Sequence, residues 1–199
     1  MESKKEEIYW STRYRELNTG WDIGHPSTPI KTYIDQLTDK SIRILIPGAG
    51  NAYEAEYLYT NGFKNIYILD ISEIPLQEFK KRNPDFPEAQ LLHGNFFEHK
   101  GNYDLIIEQT FFCSFLPTDE NRNAYAKHMA SLLKESGKLV GLWFSIPLTG
   151  DMEKRPFGGN IEAYKNHLSP YFYIKTFEKS YNSIAERTGN ELFGIFIKK

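Results

Sequence analysis

The residues in this chain best placed to do chemistry are Gly48, Gly50 and Asp70. Gly48-Ala49-Gly50 follows an apolar run, Ile42, Ile44, Leu45 and Ile46, that reads as a buried strand with Pro47 as its stop. From Ala52 to Tyr59 the residues are good helix formers, with Ala55, Leu58 and Tyr59 on one face, and Asn61-Gly62 ends the helix. Ile66, Ile68 and Leu69 then make a second strand that closes on Asp70. Strand, glycine turn, helix, strand and terminal acid form the βαβ unit that holds an adenosine-containing cofactor. Glycines let backbone N–H groups approach a ligand closely, and an acid at the second strand tip can accept both hydroxyls of a ribose.

Two cofactors compete for that turn. A dinucleotide fingerprint needs a third glycine for close helix–strand packing, and Tyr53 stands there, which disfavours an NAD-type oxidoreductase. S-adenosylmethionine has no pyrophosphate and asks less of the helix N-terminus. It needs a turn for its methionine part, an acid for its ribose and a mixed polar and apolar wall for adenine, which Asn95-Phe96 can supply. Its sulfonium is a cation, and aromatic faces attract desolvated cations by about 2 kcal/mol. Trp10, Tyr14 and Trp21 offer such faces, so methyl transfer fits better.

Bulk properties set the frame. A chain of 199 residues with 40% hydrophobic and 15% aromatic content is expected to fold as one α/β domain, with residues 1–40 as an aromatic cap and 41–199 as a Rossmann-like core. A net charge of −2 and the lack of a basic run argue against nucleic acid as a partner. The single cysteine suits a reducing compartment, and the charged N-terminus does not resemble a signal peptide. No stretch approaches the roughly 20 apolar residues of a membrane span. A cytoplasmic monomer acting on a small molecule is expected. His93, His99, His128 and His167 lack metal-ligand spacing with any cysteine pair, so no metal is expected.

These sites must be positioned by the rest of the chain. Ile8–Leu17 and Ile30–Leu37 read as short helices before the first strand. A helix from Ser72 to Arg82, a strand over Ala89–His93 and a strongly apolar strand over Tyr103–Glu108 follow. Thr118–Glu135 reads as a helix with Tyr125, Met129, Leu132 and Leu133 on one side, capped by Ser136-Gly137 and followed by a strand over Lys138–Ser145. A Gly/Pro-rich loop spans Pro147–Asn160, then come a helix near Ile161–Leu168 and strands near Phe172–Glu178 and Glu191–Ile197. The alternation predicts a doubly wound, mostly parallel sheet of seven strands with one antiparallel strand near the C-terminus.

In order along the chain, Trp10 and Tyr14, Gly20-Trp21-Asp22, Pro26, Ile46-Pro47-Gly48-Ala49-Gly50, Leu69-Asp70-Ile71-Ser72, Gly94-Asn95-Phe96-Phe97 and Tyr103-Asp104-Leu105-Ile106 through Glu108-Gln109-Thr110-Phe111-Phe112-Cys113 resemble the thiopurine S-methyltransferase family, in particular its halide, thiocyanate and thiol methyltransferase branch. Arg122, Tyr125-Ala126, Met129 and Leu132-Leu133-Lys134 continue the likeness over nearly the whole chain. The resemblance implies a seven-stranded methyltransferase fold that uses S-adenosylmethionine and releases S-adenosylhomocysteine. It implies cofactor contacts at Trp10, Tyr14, Trp21, Gly48, Gly50, Asp70, Ile71, Asn95, Phe96, Glu108 and Gln109. Tyr14 stands for a usual Trp, Asn95 for an acid, Ala49 for a common Cys and Ala52 for a frequent Gly. Glu153-Lys154-Arg155-Pro156-Phe157 departs from the family's Gly-Gly-Pro-Pro-Phe.

Methyl transfer is an in-line displacement that needs alignment and exclusion of water, not a covalent intermediate. Cys113 therefore needs no nucleophilic role. Phe111, Phe112 and Phe115 are candidates for the acceptor pocket, and Arg155 is a candidate for drawing an anionic acceptor inward. Asp70 is read as a ribose ligand, with N-capping beside Ser72 as the other role open to it. A non-catalytic cofactor-binding protein on the same fold is the alternative.

Overall fold

The structure, a computed structural model, describes residues 2–148, 151 and 155–199. Its framework is a seven-stranded sheet in the order β3-β2-β1-β4-β5-β7-β6. The strands are β1 Ile44–Pro47, β2 Ile66–Asp70, β3 Leu91–His93, β4 Tyr103–Gln109, β5 Leu133–Phe144, β6 Phe172–Lys179 and β7 Glu191–Lys198. β7 alone runs antiparallel, and it pairs with both β5 and β6. The strands β1 to β5 run parallel, as the alternation with helices requires.

Side-chain alternation sorts the core onto two faces. Ile44, Ile46, Ile66, Ile68, Leu105 and Ile107 face helices α2 (Thr28–Ile34), α3 (Tyr53–Thr60) and α4 (Glu73–Arg82), against Ile34, Leu58 and Phe79. Leu45, Leu69, Ile106 and Leu139 face α5 (Asp119–Ser131) and α6 (Ile161–Leu168), against Tyr125, Met129, Tyr164 and Leu168. The strands are thus buried on both sides, which explains why their sequences are nearly continuous apolar runs. Helix α1 (Glu2–Arg15) lies outside both layers and packs on α4.

Several boundaries differ from the sequence reading. The helix expected over 118–135 ends at Ser131, and β5 begins at Leu133. Tertiary partners take the intervening groups: Leu132 O accepts from Tyr103 N at 2.9 Å, Leu133 is core, and Lys134 Nζ pairs with Asp104 at 2.8 Å. A register shift between Tyr103 and Leu105, with Ser136 left-handed at φ 59°, absorbs the irregularity, so Ser136-Gly137 bends a strand instead of capping a helix. Glu88–Gln90 forms a short 3₁₀ turn, leaving β3 only three residues. The first helix starts at Glu2, not Ile8, because its Lys/Glu-rich opening favours helix without any apolar stripe to announce it. Glu153 and Lys154 lie outside the described residues.

Candidate cofactor and acceptor site

The turn after β1 is built from left-handed backbone. Gly48, Gly50 and Ala52 have φ of 58°, 54° and 55°. An alanine pays for that conformation with strain that glycine avoids, which explains why glycine is common at position 52 in the family the sequence resembles. At Gly48 an added Cβ would lie 2.0 Å from Phe111 Cδ2, and at Gly50 2.9 Å from Tyr14 Oη. Gly48→Ala should therefore lower stability by about 2 kcal/mol or more in a urea melt, summing left-handed strain and ring displacement. Gly20→Ala meets nothing within 4 Å, so the same melt should register a far smaller change.

Asp70 ends β2 directly beside that turn and is 6% exposed. Its Oδ2 accepts from Gly50 N at 2.9 Å and its Oδ1 from Ser72 N at 2.8 Å. Burial pushes its carboxyl up to about 6, against these two N–H groups and the nearby His93. The N–H of Ile71 also favours the carboxylate, and of its roughly four lone-pair sites these three donors leave one for a further donor. Ser72 heads α4 without a side-chain cap, and its hydroxyl instead meets Ser11 Oγ of α1 at 2.9 Å. Asp70 thus ties the head of α4 to the glycine turn. The Ile71 carbonyl lies 3.0 Å from His93 Nε2, a nitrogen that faces Glu7 at 3.6 Å.

The aromatic prefix does fold over this turn. Trp21 makes edge contacts with Trp10 and Tyr14, at centroid distances of 5.3 and 5.7 Å. Burial, reinforced by Asp70, pushes the Tyr14 hydroxyl strongly up, so it stays a neutral donor. Asp22 accepts from Gly24 N at 2.8 Å and from Asn51 Nδ2, tying the cap to the glycine turn. The chain's own cations already sit on these rings: Arg13 lies 5.1 Å from the Trp21 centroid, and Arg155 4.6 and 5.6 Å from Tyr9 and Trp10. Arg155 is not a solvated surface arginine. It donates to Ser114 O at 2.7 Å and to the Glu6 carboxylate at 2.9 and 3.1 Å, joining α1 to the turn after β4.

Asn95 heads the 3₁₀ turn Phe96–Glu98, its Oδ1 accepting from Phe97 N at 2.9 Å. Phe96 is buried among Phe111, Tyr125 and Phe115, with centroids 5.2, 5.8 and 6.1 Å away. Of the three phenylalanines read as pocket lining, Phe112 is buried in the core, whereas Phe111 and Phe115 are half-buried at its edge. Gln109 ends β4 and accepts from Ser27 Oγ at 3.2 Å. Cys113 is buried, donates to Thr110 O at 2.7 Å, and is pushed well above an ordinary thiol by burial and by Glu108. A thiol so held is not a nucleophile.

Glu108 is fully buried at the end of β4, one of the few acids in the core. Its Oε1 accepts from Phe112 N at 3.0 Å and from Phe111 N, holding the turn that lays Phe111 on Gly48. Burial pushes it up to about 8 from an ordinary 4.5. The folded state therefore keeps a proton that the unfolded chain releases, and stability falls as pH rises from about 4.5 to 8 and levels above that.

Sequence reasoning missed a buried polar group behind the turn. Glu54 Oε1 accepts from Ser27 N at 2.9 Å, and Arg187 donates to Glu191 Oε1 at 3.2 Å and to Trp21 O at 2.6 Å. These residues come from opposite ends of the chain, so no local pattern announces them. Among the described residues no group of three His, Cys, Asp or Glu is arranged to hold a metal ion, and no helix is long and apolar enough to cross a membrane.

The cradle fits S-adenosylmethionine: a left-handed glycine turn too tight for side chains, a buried acid with an acceptor to spare, and an aromatic cap. Sheet order and site together define a Rossmann-like S-adenosylmethionine-dependent methyltransferase. The fold matches the magnesium protoporphyrin IX methyltransferase of Synechocystis PCC 6803, solved with bound SAH, with a TM-score of 0.74 at 14% identity and full coverage of both chains. A TehB-like SAM-dependent methyltransferase from Corynebacterium glutamicum gives 0.63 at 18% identity, covering 98% of this chain and 100% of that one. In sequence, the chain is 29% identical to Thiocyanate methyltransferase 1 of Brassica oleracea over 195 residues, 95% of this chain and 84% of that protein. It is 28% identical to Probable thiol methyltransferase 2 of Arabidopsis thaliana over 191 residues, 93% and 82% of the two. Residues 5–198 match the thiopurine S-methyltransferase (TPMT) family, and the chain belongs to it. It is an S-adenosylmethionine-dependent S-methyltransferase.

Proposed function

We propose that the acceptor is a small soft nucleophile, a thiol or a thiocyanate-like anion, methylated in the space between the aromatic cap and the Phe111–Phe115 edge. The observation that carries this is the wall itself: half-buried Phe111 and Phe115 beside Phe96, over Gly48, with the only thiol in reach made inert by burial. Such a wall suits a polarisable acceptor and excludes water. The names of the two plant relatives support the same class.

In this reading Asp70 accepts from the ribose hydroxyls, Gly48 and Gly50 let the backbone approach the methionine part, and Ile71, Asn95 and Phe96 flank adenine. Trp10, Tyr14 and Trp21 face the sulfonium, and Gln109 closes the turn from behind. S-adenosylmethionine, when bound, supplies an electrophilic methyl carbon. The chain's residues orient the acceptor, and Phe112 backs the pocket while Arg155 holds its rim through Ser114 and Glu6. The net charge of −2 supports a small molecule over nucleic acid as the partner.

A panel of thiols, thiocyanate and iodide with methyl-labelled cofactor tests this. Label is expected in the volatile or organic product of at least one acceptor. Cofactor binding with no transfer to any member would overturn this acceptor class.

A further inference from the structure

Glu108 carries a carboxyl oxygen with no hydrogen-bond partner among the described residues. Both N–H donors that reach its carboxyl, from Phe111 and Phe112, fall on Oε1. Oε2 is buried with no partner among the described residues. Among the described residues only those two N–H groups oppose the cost of burying it. Its proton, placed on Oε2, thus forms a donor with no acceptor.

The carboxyl that carries it is tied through its other oxygen to a residue of the proposed pocket. Phe111 joins the two: its N–H is bound by Glu108 and its ring rests on Gly48. A second unpartnered buried group, the Tyr125 hydroxyl, lies near enough for Glu108 to raise it, and Tyr125 packs on Phe112, Phe111 and Phe115. Buried polar groups without a partner are a minority in folded chains, and each calls for an explanation.

We propose that Glu108, as the neutral acid, donates a hydrogen bond from Oε2 to an anionic acceptor, making it an acceptor-binding group and not a contact of the cofactor. This rests on the S-methyltransferase reading above and names the acceptor's charge. The reason is chemical: an anion accepts from O–H donors strongly, whereas an ionised carboxylate in the same place would repel it.

Acidity supports the idea, since burial keeps Glu108 protonated up to about 8. The other titratable groups facing it remain neutral through that range. Cys113 on the turn after β4, Tyr125 on α5 and Tyr164 on α6 are all pushed upward by burial. Arg187, which acts on Cys113, stays engaged with Glu191.

Thiocyanate is ionised at every accessible pH, so its pH profile reports the protein. For the full-length wild type at saturating cofactor, kcat/KM for thiocyanate should be flat between about pH 6 and 7 and fall towards tenfold per unit above about 8. Glu108→Gln, whose amide keeps the Oε1 acceptor, should show no such fall. A wild-type profile flat to pH 10, or the same fall in Glu108→Gln, overturns the proposal. A second measurement needs no turnover and no variant protein that folds: ¹³C NMR titration of glutamate carboxyls in wild type loaded with S-adenosylhomocysteine. One carboxyl should titrate near 8, and thiocyanate should move its midpoint upward. An unmoved midpoint overturns the proposal even if turnover is absent. Turnover with a flat profile sinks this inference alone, whereas no turnover with any acceptor sinks the reading it rests on.

Discussion

Replacing Asp70 with alanine should weaken S-adenosylhomocysteine binding by about a hundredfold or more in isothermal titration calorimetry. Hydrogen bonds to a charged group are worth roughly 1.5–3 kcal/mol each, and two ribose hydroxyls make about 3 kcal/mol, or about a hundredfold. Melting temperature is the poorer readout, because two effects oppose. Alanine strands the N–H groups of Gly50 and Ser72, a loss of about 1–3 kcal/mol for each. It also removes a buried carboxyl raised from 3.8 to about 6, whose ionisation works against the ligand-free fold by roughly 3 kcal/mol above pH 6. The sign of the pH dependence follows. The accepting carboxylate exists above about pH 6, so wild-type affinity should be constant near pH 7.5 and fall towards tenfold per unit below 6. Asp70→Ala should show no such step. Wild-type binding that is unchanged at pH 5 would remove Asp70 from the site.

Much of this was legible in the sequence because it depends on local pattern. The glycine turn, the acid at the β2 tip and the apolar strand runs are each set by neighbours within a few residues. Their order along the chain fixes the sheet through the rule of right-handed crossovers. The end of α5 was not legible. Tyr125, Met129, Leu132 and Leu133 keep helical spacing, yet Leu133 is held in the sheet by Tyr103, thirty residues earlier, and by Lys134 on Asp104. Tertiary pairing overrode periodicity. The roles of Arg155 and Glu108 were hidden for a related reason. A sequence shows that a residue is charged, but not that its charge is already met by Glu6, as for Arg155, or that one oxygen has no partner among the described residues, as for Glu108.

Arg187 is the hidden residue with the largest expected effect on stability. Its guanidinium is buried, binds Glu191, which is 2% exposed, and stacks 5.3 Å from Phe144. Arg187→Ala leaves the Glu191 charge alone in the core and should lower unfolding free energy by about 3–5 kcal/mol. That is a large share of the roughly 5–15 kcal/mol of a typical domain. The same guanidinium also donates to Trp21 O at 2.6 Å, so it anchors the aromatic cap from the far end of the chain. Stability and cap tethering can be separated. Arg187→Met with Glu191→Gln removes both charges while keeping volume, and it should recover most of the lost stability, since a buried pair contributes little beyond what apolar packing would give. It cannot restore the bond to Trp21. The double variant should therefore melt near wild type in urea yet bind S-adenosylhomocysteine severalfold more weakly, with Trp21 fluorescence reporting a more exposed ring. Recovery of both properties together would show that the Trp21 bond contributes nothing to the cofactor site, and that Arg187 acts on the cap only by keeping the fold intact.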